Sequence, residues 1–152
     1  MTPEETLASL GLVLPEVVSP AFTYVGFRRD GATVYLSGQG PRKGDGTYHL
    51  GKVGRDVSTA EAAGHARIVG LQLLALARLA AGDLSRVEML KVLGMVNAVP
   101  DFTEQPQVID GCSDLLVEVL GERGRHARSA VGFGSLPNGM TVEIEAIIRI
   151  HG

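Results

Sequence analysis

The C-terminal segment 141–150 constrains the fold most, because its polarity alternates with a period of two. One face would carry only apolar side chains: Val142, Ile144, Ala146, Ile148 and Ile150. The other face would carry Thr141, Glu143, Glu145 and Arg149. Such alternation is typical of a β-strand with one buried face. A shorter strand is predicted at 129–133, and the Leu-Pro-Asn-Gly between the two strands indicates a turn.

Two long helices are predicted upstream of these strands. The first opens with a capping box at Ser58 and Glu61 and stops at Gly82. The second is expected to be capped by Asp101 or Thr103 and to end at 121, with Pro106 tolerated in its first turn. A short helix is predicted at 2–11, and further strands are predicted at 24–28, 33–38 and 87–98.

This order of elements favours an α+β domain of two layers, with both long helices on one face of a single sheet. No internal repeat or linker divides residues 1–152, so a single domain is expected. The other face of the sheet would be bare. Hydrophobic residues make up 45% of the chain and charged residues only 20%, which favours burial of that face between subunits.

The composition argues against several classes of function. Fourteen Lys and Arg against 17 Asp and Glu give a net charge of −3, without a basic run of the kind that nucleic acids attract. The only cysteine, Cys112, excludes an intramolecular disulfide, and its apolar helical stripe predicts a core position. The N-terminus has neither a basic region nor a long apolar stretch, so a cytoplasmic protein is expected. The four histidines show no metal-ligand spacing.

Arg128 and the carboxylates Glu143 and Glu145 form the best candidate site. A guanidinium can grip a substrate carboxylate through two hydrogen bonds, and a carboxylate can hold a hydrolytic water. In a two-residue hairpin Gly134 would face Glu143, and Arg128 would lie six residues further along, roughly 20 Å at about 3.3 Å per residue. Either the two residues meet across subunits, or their strands are not direct neighbours.

Three motifs carry a family resemblance. Arg-Ser-Ala-Val-Gly at 128–132 is followed by Leu-Pro and then by Val-Glu-Ile-Glu-Ala at 142–146, and Tyr24 lies thirteen positions before the Ser37 of Ser-Gly-Gln. The chain thereby resembles the RidA/YjgF family of reactive-intermediate (enamine and imine) deaminases, also labelled endoribonuclease L-PSP. The resemblance covers residues 7–150. It implies a chorismate mutase-like fold with a mixed sheet, and a homotrimer with its sites between subunits.

The resemblance also implies roles for single residues. Arg128 would bind the substrate carboxylate, and Glu143 would position and activate water. Tyr24 and Ser37 would line the pocket, while backbone groups near Gly38 and Ala130 would orient the imine. The implied reaction is hydrolysis of 2-imino or enamine acids to 2-keto acids and ammonia, without a metal or an organic cofactor.

Two departures from the family pattern keep alternatives open. Many deaminating members have Cys where this chain has Ala130, and the family's Asn near the start of the second long helix has no clear counterpart. A module that binds or senses small carboxylates without turnover is therefore the main alternative. An endoribonuclease follows it, although the acidic balance counts against this function. His126, close to Arg128, is either a solvated loop residue or part of the site.

Overall fold

The computed structural model describes all residues from 1 to 152, and its main elements follow the predicted order. Three α-helices and five strands follow one another as α1 (Pro3–Ser9), β1 (Phe27–Asp30), β2 (Thr33–Gln39), α2 (Thr59–Ala81), β3 (Val87–Asn97), α3 (Gln105–Leu120), β4 (Ala127–Phe133) and β5 (Val142–Ile150). Short 3-10 turns lie at Leu84–Arg86, Gly121–Gly124 and Pro137–Gly139. No helix has both the length and the apolar character needed to span a bilayer.

The five strands form one mixed sheet in the order β1-β2-β5-β3-β4. β3 and β4 run parallel, and all other neighbours are antiparallel. β5 is the central strand of the sheet and lies between β2 and β3. It forms no backbone ladder with β4. The α+β class and the mixed sheet expected from the sequence are confirmed.

The last two strands are not a hairpin, so the strands that carry Arg128 and Glu143 are not direct neighbours, which is one of the two possibilities that the sequence left open. β4 pairs only with β3, and β3 in turn pairs with β5. The predicted turn does form, with positive φ at Asn138 (58°) and Gly139 (75°). It carries the chain over the end of β3 instead of folding β5 back onto β4.

The two long helices cover one face of the sheet. The five apolar residues of β5 that the alternation assigned to one face are all buried in a core of 32 residues. α2 and α3 pack closely on each other at Gly111, where a β-carbon would collide with the backbone carbonyl of Ala63. Burial on this scale supplies most of the stability of a small domain.

The helix ends show where local signals are sufficient. Capping boxes form at Thr2 and Ser58, and Gly82 ends α2 with φ of 83°. The predicted cap of α3 is wrong, because the helix begins at Gln105 after Glu104, whose side chain makes no capping hydrogen bond. Pro106 in the first turn explains why a helix can start here without a cap, since its missing N–H removes one unpaired donor.

Two strand boundaries also differ from prediction. β1 begins at Phe27, so Tyr24 lies in an irregular segment ahead of it and not in a strand. β4 begins at Ala127, so Arg128 is a strand residue rather than a flanking one. Both shifts place candidate site residues in a different setting from the one expected.

Candidate functional site

A cleft of about 790 Å³ opens beside the bare face of the sheet, where the end of β2 meets the start of β5. Four of the predicted site residues line it, namely Tyr24, Ser37, Gly38 and Glu143. The segment 18–22, the loop after β2 and the turn at 137–140 supply the remaining walls. Four of the six predicted site residues are therefore brought together within one protomer.

A bulge in β2 shapes this cleft. Leu36 pairs with Ala146 and Gln39 with Ile144, so β2 uses one more residue than β5 over the same interval. The extra residue falls at Ser37–Gly38, and bulges of this kind redirect side chains at functional sites. A β-carbon on Gly38 would lie 2.5 Å from Oε2 of Glu143, so a side chain here would displace this carboxylate from its observed position.

Glu143 is the only acidic residue that lines the cleft. Burial raises the pKa of its carboxyl above the ordinary value, and repulsion from the neighbouring Glu145 raises it further. It forms no ion pair within the chain. A partly desolvated carboxylate without a counter-charge is a stronger base than a solvated one, which is the property that activation of water requires.

Ser37 holds the segment that carries Tyr24. Its hydroxyl donates a hydrogen bond of 2.6 Å to the carbonyl of Val25, and its backbone N–H donates one of 2.9 Å to the carbonyl of Gly26. Tyr24 is half-exposed on the cleft wall. Ser37 therefore holds the backbone next to Tyr24 in place. The spacing between the two residues in the sequence did not indicate this role.

Arg128 lies elsewhere in the protomer. It pairs with Val92 of β3, and β3 lies between β4 and β5. The backbones of β4 and β5 are therefore about 10 Å apart, at about 4.8 Å per strand. Its side chain turns toward α3, whereas Glu143 lies on the opposite face of the sheet from its buried neighbours Val142 and Ile144. Within one protomer Arg128 and Glu143 do not share a site.

Ala130 accompanies Arg128 and not the cleft. It pairs with Gly94 of β3 and packs against the main core, under Ile109 of α3 where that side chain fills the space above Gly94. The predicted residues therefore divide into a Glu143 group of four and an Arg128 group of two.

A network that the sequence did not predict holds Arg128. Its Nη1 donates to Oδ1 of Asp110 at 2.7 Å and to Oγ of Ser113 at 3.2 Å. Ser113 Oγ lies 2.9 Å from Nε2 of His126, and Nδ1 of His126 lies 2.6 Å from the carbonyl of Gly124. Since a carbonyl can only accept, Nδ1 carries a proton, and in the neutral ring Nε2 accepts the serine hydroxyl.

This network settles the position of His126, which contacts Arg128 through Ser113 rather than directly. One feature of the sequence could have indicated this network. Asp110 and Ser113 have i, i+3 spacing on a predicted helix, which places both side chains on one helix face. Cys112, between them, faces the core as predicted. Burial raises the pKa of its thiol to about 12, so it remains protonated. No group of three or more His, Cys, Asp or Glu side chains converges on a possible metal position.

The sequence of this chain is similar to those of known proteins. A family model described as "YjgF/chorismate_mutase-like, putative endoribonuclease" matches residues 4–142. Protein TCP17 of Trypanosoma cruzi is 40% identical over 147 residues, which are 95% of this chain and 92% of that protein. The chain belongs to the YjgF family.

Solved structures of YjgF proteins agree with the fold. The crystal structure of Atu1372 from Agrobacterium tumefaciens, a protein of unknown function, is 43% identical and superposes with a TM-score of 0.89 over 99% of this chain and 93% of its own. RidA from an Antarctic Psychrobacter species is 28% identical, with a TM-score of 0.60 over 88% of this chain and 94% of its own. The predicted family and its chorismate mutase-like fold are confirmed.

Proposed function

We propose that this YjgF protein hydrolyses reactive 2-imino and enamine acids to 2-keto acids and ammonia, at sites shared between two subunits of a homotrimer. The observation that carries the proposal is the Glu143 carboxylate, which lies half-buried and unpaired above Gly38 with a raised pKa. An unpaired, partly buried acid destabilises the folded protein, and such acids are found where they act as catalytic bases.

The reaction needs only acid–base chemistry. Glu143 takes a proton from a water molecule as its oxygen attacks C2 of the imine, and the imine nitrogen becomes an amine. The Glu143 carboxylic acid returns its proton to this nitrogen, which completes the 2-amino-2-hydroxy acid. Glu143 then moves the hydroxyl proton to the amine as the C2–N bond breaks, so ammonia leaves and the 2-keto acid remains. The raised pKa brings Glu143 closer to the value at which one group can both accept and return a proton.

Arg128 would bind the substrate carboxylate from a neighbouring subunit. Asp110 and Ser113 contact Nη1 only, so Nε and Nη2 remain available for a bidentate carboxylate. Because Arg128 and Glu143 lie on opposite faces of one sheet, they can act on one small ligand only if two copies of the chain bring them together. In this arrangement Tyr24 and Ser37 line the pocket, and backbone groups near Gly38 and Ala130 orient the imine.

The test is the decay of 2-iminobutanoate, generated in place by an amino-acid oxidase. Wild type should accelerate decay, whereas Arg128→Ala and Glu143→Gln should lose at least about 100-fold of the rate, the usual contribution of a general base. Glu145→Gln on the same strand is the matched control and should retain activity. If wild type leaves the decay of both 2-iminobutanoate and 2-iminopropanoate unchanged, hydrolysis of these imines is wrong.

A binding module without turnover is the second candidate, and the ion pair of Arg128 with Asp110 favours it. A guanidinium that already has a carboxylate partner is weaker as an electrophilic group in catalysis, yet it can still hold a ligand. Thermal stabilisation by 2-oxobutanoate, without acceleration of any imine's decay, would support this function. Acceleration dependent on Glu143 would exclude it.

A further inference from the structure

Arg42 is the one basic side chain that lines the Glu143 cleft, and the deaminase proposal does not use it. Its side chain is partly buried and forms no ion pair with any acid of the chain. The hydrogen bond from Nη1 to Oε1 of Gln39 is 3.5 Å long, at the limit for such a bond. A partly buried guanidinium with so weak a partner retains most of its capacity to bind an anion.

The backbone around Arg42 is held firmly in place. The side chain of Gln72, buried within α2, donates to the carbonyl of Gly40 at 2.7 Å and accepts from the N–H of Arg42 at 3.1 Å. Arg42 also forms an isolated β-bridge with Tyr48, another residue of the cleft wall. Such support fixes where the side chain leaves the backbone, which is how binding residues are usually presented.

The charges of the cleft are arranged to suit a particular ligand. Glu143 is its only acidic lining residue and Arg42 its only basic one, and the two do not pair with each other. Since opposite charges in one cleft attract each other, their separation leaves room for a ligand between them. The volume of about 790 Å³ is also ample for an acid longer than an iminobutanoate.

We propose that Arg42 binds a second carboxylate, so that the cleft selects 2-imino acids with an acidic side chain. This inference rests on the proposed function, in which Arg128 holds the first carboxylate and Glu143 activates water at C2. A side chain extending from C2 into the cleft would then place its terminal carboxylate against Arg42. Imines derived from acidic amino acids are the corresponding class of substrate.

The test compares a 2-oxo dicarboxylate with a 2-oxo monocarboxylate in binding and in catalysis. Calorimetric titration of wild type with 2-oxoglutarate and 2-oxobutanoate should show at least about tenfold tighter binding of the dicarboxylate, as a charge-assisted bidentate contact provides. Hydrolysis of the imines that oxidases form from glutamate and from 2-aminobutanoate should show the same preference in kcat/KM.

Arg42→Gln should abolish this preference, because it should weaken binding of 2-oxoglutarate much more than binding of 2-oxobutanoate. Lys43→Gln removes the same charge from the next, exposed residue and should keep the preference. Arg42→Lys, which preserves the charge without the planar fork, should keep only part of it. Circular dichroism and melting temperature of each variant establish that the fold is retained.

The outcomes separate this inference from the proposed function. If imines are hydrolysed but Arg42→Gln leaves the preference intact, or wild type shows none, the inference is wrong and the proposed function stands. If no imine is hydrolysed while 2-oxoglutarate still binds through Arg42, the deaminase is wrong and the second carboxylate site stands. Failure of wild type to bind either acid overturns the inference.

Discussion

Glu143 and Arg128 lie in contrasting environments, although both are charged residues on strands of the same sheet. Glu143 sits on the bare face above Gly38, without a counter-charge, and burial raises its pKa. Arg128 sits on the helical side at the sheet edge, anchored at Nη1 by Asp110 and Ser113. One group is left reactive and the other is held in a fixed orientation, which suits a base and a substrate anchor respectively.

The largest effect should come from combining the two groups across subunits. Arg128→Ala and Glu143→Gln homo-oligomers should each lose at least about 100-fold of imine hydrolysis. Unfolded together and refolded as mixed trimers, the two inactive variants should regain activity, since about a quarter of the sites would contain both native residues. Activity of the mixture is measured against each variant refolded alone.

The absence of recovery would count against a shared site if chromatography shows that mixed oligomers have formed. An equal mixture of the double variant Arg128→Ala/Glu143→Gln with wild type serves as the control for exchange, because random exchange leaves about a quarter of the sites intact whereas unmixed oligomers leave about half. Monomeric wild type that is fully active would contradict the shared site directly.

A smaller effect is expected from loosening the anchor of Arg128. Asp110→Ala removes the 2.7 Å hydrogen bond, so the guanidinium should lose its orientation and KM should rise about tenfold, with a smaller change in kcat. Asp110→Asn retains an acceptor oxygen and should change KM less. Asp101→Asn, at an exposed residue ahead of α3, is the matched control. Equal KM values for all three variants would show that Asp110 does not position Arg128.

The contrast between the two regions also explains what could be predicted from the sequence. The alternation of β5, the capping box at Ser58 and Gly82 are local signals, and all of them gave correct elements. The insertion of β5 between β2 and β3 depends on contacts between distant segments. No local pattern encodes such contacts, so the separation of Arg128 from Glu143 by β3 remained one of two alternatives.

The surroundings of the two charges were missed for related reasons. The bulge at Ser37–Gly38 arises from the register of β2 against β5, which is not visible in either strand alone. The pairing of Asp110 with Arg128 depends on how α3 crosses the end of β4. The family motifs therefore supplied the candidate residues, whereas the side chains that surround those candidates required the structure.

The free energy of unfolding can be used to test the environment of Glu143 without any substrate. Because the pKa of folded Glu143 lies above the unfolded value of about 4.3, ionisation of its carboxyl opposes folding. The stabilising effect of Glu143→Gln should be absent below that pH and should appear as the pH rises through the folded pKa. Since water screens a half-exposed group, the gain in unfolding free energy at pH 7 should stay under about 1 kcal/mol.

Urea unfolding of wild type and Glu143→Gln at several values between pH 4 and pH 8 measures this gain. An effect that does not depend on pH would mean that packing, and not charge, explains the difference. Glu16→Gln, at an exposed glutamate without an ion pair, controls for the substitution itself and should give a flat, smaller difference.

The smallest expected effect concerns Glu145, whose charge contributes to the raised pKa of Glu143. Glu145→Gln removes that repulsion, so the pKa of Glu143 should fall while its burial still holds it above the ordinary value. The acidic limb of the kcat/KM profile for imine hydrolysis should therefore move to lower pH, with the plateau unchanged. An acidic limb that stays in place in Glu145→Gln would assign it to another group, and Glu143 would then lose its part as the base.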